Sequence, residues 1–477
     1  MPSRPIFHLR LADMVFSSLP FLFLYLPAVL LVYYLAPKRY RNVVLLVASL
    51  LFYFFGEPLY TWLLAVSSIS DFCFSLLIEK RRGTPAAKRL LIAAIAVSLA
   101  MLGFFKYIDF FISTVNAIFG SHIGLLNVPL PLGISFFTFQ TMSYTIDVYR
   151  GRVHAQRNLA TFATYVCLFP QLIAGPIIRY AVIGDALMDR TENVAEVAAG
   201  IRRFCVGLTK KVVVANYMGQ LVETFRASDE RTVLFYWIYA AAFTLQIYFD
   251  FSGYSDMAIG LGHMFGFKFP ENFNYPYISR SITEFWRRWH MTLGFWFRDY
   301  VYIPMGGNRV SKWRWLVNVA VVWALTGAWH GAAWNFVAWG LLMSVMLVIE
   351  KAFLGRLLLR AGPVLPSLYV MFVIICSFVL FNGDGMHGAW SDLAGLFGAG
   401  GRPLVGPESL YYLRGAGLMF VLAIIGSTPL PKQIVGGLAA RYPRLQVLAP
   451  VAVVGCLLLV TANLVDGSFN PFIYFRF

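Results

Sequence analysis

Long apolar runs decide what this chain can become. Residues 15–36, 59–78 and 313–349 are each apolar for long enough to enter a bilayer, which a helix crosses in roughly 20 residues. Backbone groups in lipid must find partners within the chain, so such runs fold as helices. Composition agrees: 59% of the 477 residues are hydrophobic and only 13% are charged, where a soluble domain is about half apolar and a quarter charged. The length accommodates about ten to twelve spans. We therefore expect an all-α, polytopic integral membrane protein with added re-entrant or interfacial helices. One membrane domain is expected over 1–477, with N-terminal helices in 1–130, a core in 131–340, and C-terminal helices with an aromatic tail in 341–477.

The net charge of +16 would suggest nucleic acid in a soluble protein. Here the bases sit in short clusters between apolar runs: Lys38, Arg39 and Arg41; Lys80, Arg81, Arg82, Lys88 and Arg89; Arg150 and Arg152; Lys210 and Lys211. That is the pattern of cytoplasmic loops, and it argues for membrane lipid and against nucleic acid as the surroundings. The first run is too long for the apolar part of a signal peptide and lacks a cleavage signal, so it reads as a retained helix. Five cysteines are scattered singly with no CxxC pair. Neither a metal site nor a redox motif is supported, and they read as small core residues.

Along the chain, a hairpin turning at Gly56-Glu57-Pro58 is expected, then separate runs at 90–105 and 110–119. Pro170, Gly175 and Pro176 break the 159–180 segment, which reads as kinked or re-entrant. The 194–214 segment mixes charges with apolar residues and reads as an amphipathic helix at the interface. From 267 to 309 the chain is too polar for a span and too aromatic for a loose loop. A single helix over 282–297 would put Trp286, Trp289, Leu293 and Trp296 on one side, with Glu284 and Arg288 paired four apart. The acids Asp250 and Asp256 bracket FSGYS, where they read first as helix caps; orienting a histidine or binding a cation are the other readings.

Two histidines stand out. His330 lies within the stretch WALTGAWHGAAWN, beside Trp329 and Gly331, and His290 lies within TEFWRRWHMTLGFWFRDY. An ionisable group at bilayer depth is costly and marks a functional site by default. The alternative is a hydrogen-bonded core histidine, the commoner fate of a single one. An imidazole can take the proton of a hydroxyl as its oxygen attacks a carbonyl. No GxSxG elbow is present and no cysteine has basic company, so a covalent acyl-enzyme is not supported. His8, His122, His154, His263 and His387 lack such a setting and read as structural. Arg287, Arg288 and Arg298 flank His290, and Gly306-Gly307-Asn308-Arg309 offers backbone amides beside a guanidinium; both suit a phosphate-bearing donor, or equally lipid headgroups. Trp329, Trp334 and Asn335 would wall the buried cavity that the two imidazoles are expected to share. Tyr474, in the aromatic C-terminus, reads as an interfacial anchor, with an acyl relay or partner docking as the other reading.

The stretches PLGISFFTFQTMSYTIDVYRG (131–151), AGPIIRY (174–180), FDFSGYSDMAIG (249–260), ENFNYPYISRSITEFWRRWHMTLGFWFRDYVYIPMGGNR (271–309) and TGAWHGAAWNFVAWG (326–340) resemble the membrane-bound O-acyltransferase family. The nearest branch is the bacterial alginate O-acetyltransferase membrane subunit. The resemblance implies a helical bundle with a central tunnel, an O-acetyltransferase activity, and acetyl-CoA as donor substrate with no bound cofactor. The family's two active-site positions fall on His290 and His330. It further implies a multi-pass protein of the bacterial inner membrane and periplasmic partners that complete polysaccharide acetylation. Acetylated cellulose, peptidoglycan and teichoic acid remain alternative polymers. A proton-coupled transporter or export subunit, using Asp250, Asp256 and the histidines, and a scaffold that only recruits enzymes are the rivals from other classes.

Overall fold

A computed structural model describes residues 14–173 and 175–466. Among them every regular element is a helix. Among the described residues, eight helices are long and apolar enough to cross a membrane: 38–56, 58–80, 85–119, 233–264, 334–358, 364–381, 407–426 and 443–466. The protein is thus a multi-pass, all-α membrane protein. Ten to twelve spans were expected, and the difference has a physical reason. The first apolar run yields only a shorter helix, Phe21–Leu35. Helix Ile134–Tyr149 has 16 residues, about 24 Å at 1.5 Å per residue, which falls short of a bilayer core of roughly 30 Å. It is buried along nearly its whole length and serves as an interior helix.

The chain forms two compact units, one of residues 1–204 with 256–270 and the other of 205–255 with 271–477. In the first, Phe16, Phe21, Tyr25, Phe52 and Phe169 stack into an aromatic core. The Glu192 carboxylate accepts from Tyr33 and Arg41. Arg190 donates to the Tyr33 hydroxyl (2.9 Å), the Phe265 carbonyl (3.0 Å) and Asn42 (2.7 Å). The turn at 56–58 falls where expected, between helices Arg41–Gly56 and Thr61–Lys80. The runs 90–105 and 110–119, by contrast, join into one helix through a π-turn at Gly103–Tyr107. Lys106, the charge that separates them in sequence, donates to Ser135 Oγ at 3.1 Å. Residues 159–180 do break, into Leu159–Cys167 and Phe169–Leu172. Of the five cysteines, Cys167 and Cys205 are buried, whereas Cys73 is exposed and Cys376 and Cys456 are intermediate.

The second unit has its own apolar core, with Tyr239, Ile282, Phe285, Met343, Val370 and Ile374 fully buried. Asp250 sits inside the Val233–Met264 helix, away from either of its ends. Its carboxylate meets Lys211 Nζ at 2.7 Å, and Lys211 also donates to Asn216 Oδ1 at 3.0 Å. Lys211, which sequence grouped with the cytoplasmic charges, is only 3% exposed. Gly253 makes the pairing possible, because a Cβ there would lie 2.7 Å from the Gly207 carbonyl. Asp256, in the first unit, pairs with Arg203 at 2.6 Å. Both acids are ion-paired within a helix, because a carboxylate in an apolar interior needs a cation more than a helix end needs a cap.

Breaking the buried pair from one side should cost far more than removing both charges. Lys211→Met is expected to destabilise the protein by about 3–5 kcal/mol, and Lys211→Met with Asp250→Asn to recover most of that. Thermal unfolding in detergent reads the comparison; equal losses for the single and double variants would show that the two charges are not coupled.

Candidate functional site

The second unit carries both histidines on one cavity of about 1360 Å³. Ligand clefts are commonly 300–1,000 Å³, so the volume admits a substrate larger than a drug-sized molecule.

His290 arrives there through a break in a helix. Instead of one helix over 282–297 there are two, Ile282–Arg288 and Met291–Phe297. His290, between them, has φ +42 and ψ 53, a left-handed conformation that a non-glycine residue rarely adopts. The cause lies in residues 272–274. Met291 N–H donates to the Asn272 carbonyl at 2.9 Å, Thr292 N–H to Asn272 Oδ1 at 3.3 Å, and Asn274 N–H to the Arg288 carbonyl at 2.9 Å. These bonds satisfy backbone groups that a continuous helix would have paired internally. Left-handed backbone of this kind gathers at functional sites.

The short helix before the break cannot stand alone and is fastened at its start. Ser281 Oγ accepts from Glu284 N–H at 2.9 Å. The Glu350 carboxylate, brought from the neighbouring 334–349 helix, accepts from Ile282 N–H (2.5 Å), Thr283 N–H (3.1 Å) and the Thr283 hydroxyl (3.2 Å). Glu284 and Arg288 pair as expected, at 2.8 Å.

His330 is the last residue of helix Lys312–His330, which folds back as Trp334–Ile349. The two helices touch through glycines. A Cβ on Gly327 would lie 2.2 Å from the Phe336 carbonyl oxygen, and one on Gly340 2.1 Å from that of Trp323. His330 is 6% exposed, and its ring lies against Trp329 (5.0 Å between centroids), Phe381 (5.3 Å) and Trp339 (5.4 Å). Trp329 also reaches His290, at 5.7 Å, so one indole flanks both imidazoles. Phe251 meets His290 edge-on at 4.6 Å. Burial, and after it the neighbouring His330 imidazole, hold the His290 imidazole well below its ordinary range.

The exposed part of the cavity is basic. Arg280, Arg287, Arg298, Lys351 and Arg356 line it, with Glu284 and Glu350 as the acids. Lys351 Nζ stands 3.9 Å over the Trp315 ring, and Arg298 is paired with Asp299 at 2.7 Å. Such a mouth suits a polyanion, and the buried floor suits proton transfer.

Of the sequence candidates, His290, His330, Arg287 and Arg298 line this cavity. Arg288 is turned to Glu284 and the Asn274 carbonyl. Arg309 stands outside it, and the amides of Gly306, Gly307 and Arg309 donate to carbonyls of their own turn rather than standing open. Trp329 is buried beside both histidines, Trp334 is 52% exposed, and Asn335 donates to the Phe381 and Gly383 carbonyls at 3.1 and 3.3 Å. Tyr474 lies outside the described residues. His263 and His154 have hydrogen-bond partners elsewhere, in Glu196 at 2.7 Å and Glu79 at 3.1 Å. Sequence reasoning missed Asn272, Glu350, Arg280, Lys351 and Arg356. A carboxylate at 350, closing the apolar 334–349 run, was the one signal that could have been used.

Comparison with known proteins matches residues 50–358 to the sequence model of the membrane-bound O-acyltransferase family. A protein of Azotobacter vinelandii named "Probable alginate O-acetylase AlgI" is 39% identical, over 97% of this chain and all of its own length. One of the same name from Pseudomonas aeruginosa is 43% identical, over 81% of this chain and 75% of its own. The "Peptidoglycan O-acetyltransferase" of Helicobacter pylori is 33% identical, over 83% and 82%.

The matched region takes in Glu350, whose cap can be tested by stability alone. Glu350→Ala leaves two backbone N–H groups of the 282–288 helix without their acceptor. A loss of about 2–3 kcal/mol is expected, seen as a lower melting temperature in detergent. An unchanged melting temperature would mean that the helix does not depend on this carboxylate.

Proposed function

This chain belongs to the membrane-bound O-acyltransferase family, and from that premise we propose that it carries acetyl groups from cytoplasmic acetyl-CoA across the bacterial inner membrane to an exported polysaccharide of the alginate type. It is an acyltransferase. The polymer is inferred from relatives named for alginate at 39% and 43% identity, against 33% for the one named for peptidoglycan. Periplasmic polysaccharide-modifying proteins are the expected partners.

The observation that carries the chemistry is the pair of buried imidazoles on one cavity with a basic mouth. Arg280, Arg287, Lys351 and Arg356 hold the phosphates of the donor, with guanidinium and ammonium groups that make charge-assisted hydrogen bonds. The pantetheine arm then runs inward along the apolar wall of Trp323, Val319 and Leu293. The acceptor is a hydroxyl, of the polymer or of a partner. His290 Nε2 accepts the hydroxyl's one hydrogen bond as the acceptor enters and so orients it; that hydrogen then turns to His330, which takes the proton as the oxygen attacks the thioester carbonyl. The tetrahedral intermediate collapses with cleavage of the C–S bond. The thiolate leaves and recovers the proton from His330, and an O-acetyl ester remains. General-base assistance of this kind contributes about 10²- to 10⁴-fold.

Purified protein given radiolabelled acetyl-CoA and oligomannuronate should release free thiol and transfer label. His330→Ala is expected to lower kcat by about 10²- to 10⁴-fold and to leave donor binding intact, whereas Arg287→Ala should raise KM for acetyl-CoA and spare kcat. Full activity in His330→Ala would remove that residue from the reaction. An unchanged KM in Arg287→Ala would remove the mouth from donor binding.

A further inference from the structure

We propose that Asn272 is a positioning residue for the transfer, its amide oxygen fixing His290 in the tautomer that carries hydrogen on Nδ1 and offers Nε2 as a lone pair to the reacting hydroxyl. The inference rests on the reading that this cavity carries acyl transfer.

The hydrogen bonds leave one consistent assignment. A backbone N–H can only donate, so the Asn272 atom that Thr292 N–H meets at 3.3 Å is the oxygen. The Thr292 hydroxyl meets the same atom at 2.9 Å. The amide nitrogen, at the other corner, donates to Ser255 Oγ at 3.1 Å, which anchors the far end of the side chain. His290 Nδ1 lies 3.1 Å from that oxygen and must therefore carry the hydrogen. Nε2 is then the unprotonated nitrogen. It is buried, it has no hydrogen-bond partner among the described residues, and its ring lines the cavity. Phe251 and Trp329 hold the ring plane from two sides.

An amide suits this task better than a carboxylate would. A carboxylate on Nδ1 stabilises imidazolium, which carries hydrogen on both nitrogens and has no lone pair to offer. A neutral amide orients the ring and leaves it neutral, in the same direction as its burial. Of the charged and titratable groups on the cavity, His330 stands across Trp329 on the 312–330 helix, Arg280, Glu284, Arg287 and Arg298 lie on the segment of His290 itself, and Glu350, Lys351 and Arg356 come from residues 350–356. The 233–255 segment presents Phe251, while the nearby Asp250 carboxylate is engaged with Lys211.

Full-length protein with Asn272→Asp, Asn272→Leu or neither would be compared with acetyl-CoA as donor, and the His290 tautomer read by ¹⁵N NMR of histidine-labelled protein. In Asn272→Leu, kcat should fall roughly 10- to 100-fold with KM little changed, and the same substitution added to His290→Gln should cost nothing more. Asn272→Asp accepts the same hydrogen bonds and is the safeguard should the leucine variant misfold. Its charge raises the affinity of His290 for protons, so the acid limb of kcat/KM should move to higher pH by about one unit or more, with activity recovering in alkali. A profile in Asn272→Asp that coincides with wild type, or a wild-type His290 protonated on Nε2, overturns the assignment. Wild-type protein that transfers no acetyl from acetyl-CoA overturns the reading beneath it, and the two failures look different.

Discussion

Inside a bilayer a polar group has no water to fall back on, and each one must be answered by the protein itself. That constraint accounts for most of what is unusual in this structure. Lys211 and Asp250 neutralise each other within the packed second unit. Asn335 ties the turn after His330 to the carbonyls that end the next helix. Around His290 the same demand is met by Asn272, which answers a backbone amide, a hydroxyl and an imidazole with one oxygen. Beside that oxygen, the His290 Nε2 left without a partner among the described residues becomes chemically conspicuous.

The cavity divides its work by depth. Its exposed edge carries guanidinium and ammonium groups on flexible stems, which bind charge without needing fixed geometry. Its floor is built from aromatic rings and helix ends, which fix geometry and exclude water. The low dielectric that makes an unpaired charge costly there also strengthens each hydrogen bond that is made. Mobile charge at the mouth and fixed geometry at the floor are thereby kept apart.

How much of this could be read from sequence depended on the range of the interaction. The long apolar runs, the turn at 56–58, the break after Cys167 and the Glu284–Arg288 pair are local, and they were legible. The two histidines were legible because imidazoles are rare in such surroundings. The break at His290 was not. Residues 282–297 carry a sound helical pattern, and what interrupts it is a set of hydrogen bonds from a segment some twenty residues earlier. Lys211 and Asp250 misled for a related reason: each resembles a topology signal or a helix cap until the fold brings them together. Glu350 closes an apolar run as an ordinary boundary charge would, and only the packing of two helices turns it into a clamp.

That clamp has a mechanical corollary. The helix that supplies Glu350 also packs, glycine on glycine, against the helix that ends in His330. The same carboxylate grips the segment that leads into His290. Hydrogen bonds tolerate only a few tenths of an ångström of stretch before they weaken, so a tilt of this helix cannot be absorbed locally. It is fastened to both imidazole-bearing segments at once, so one element sets the spacing of the two rings.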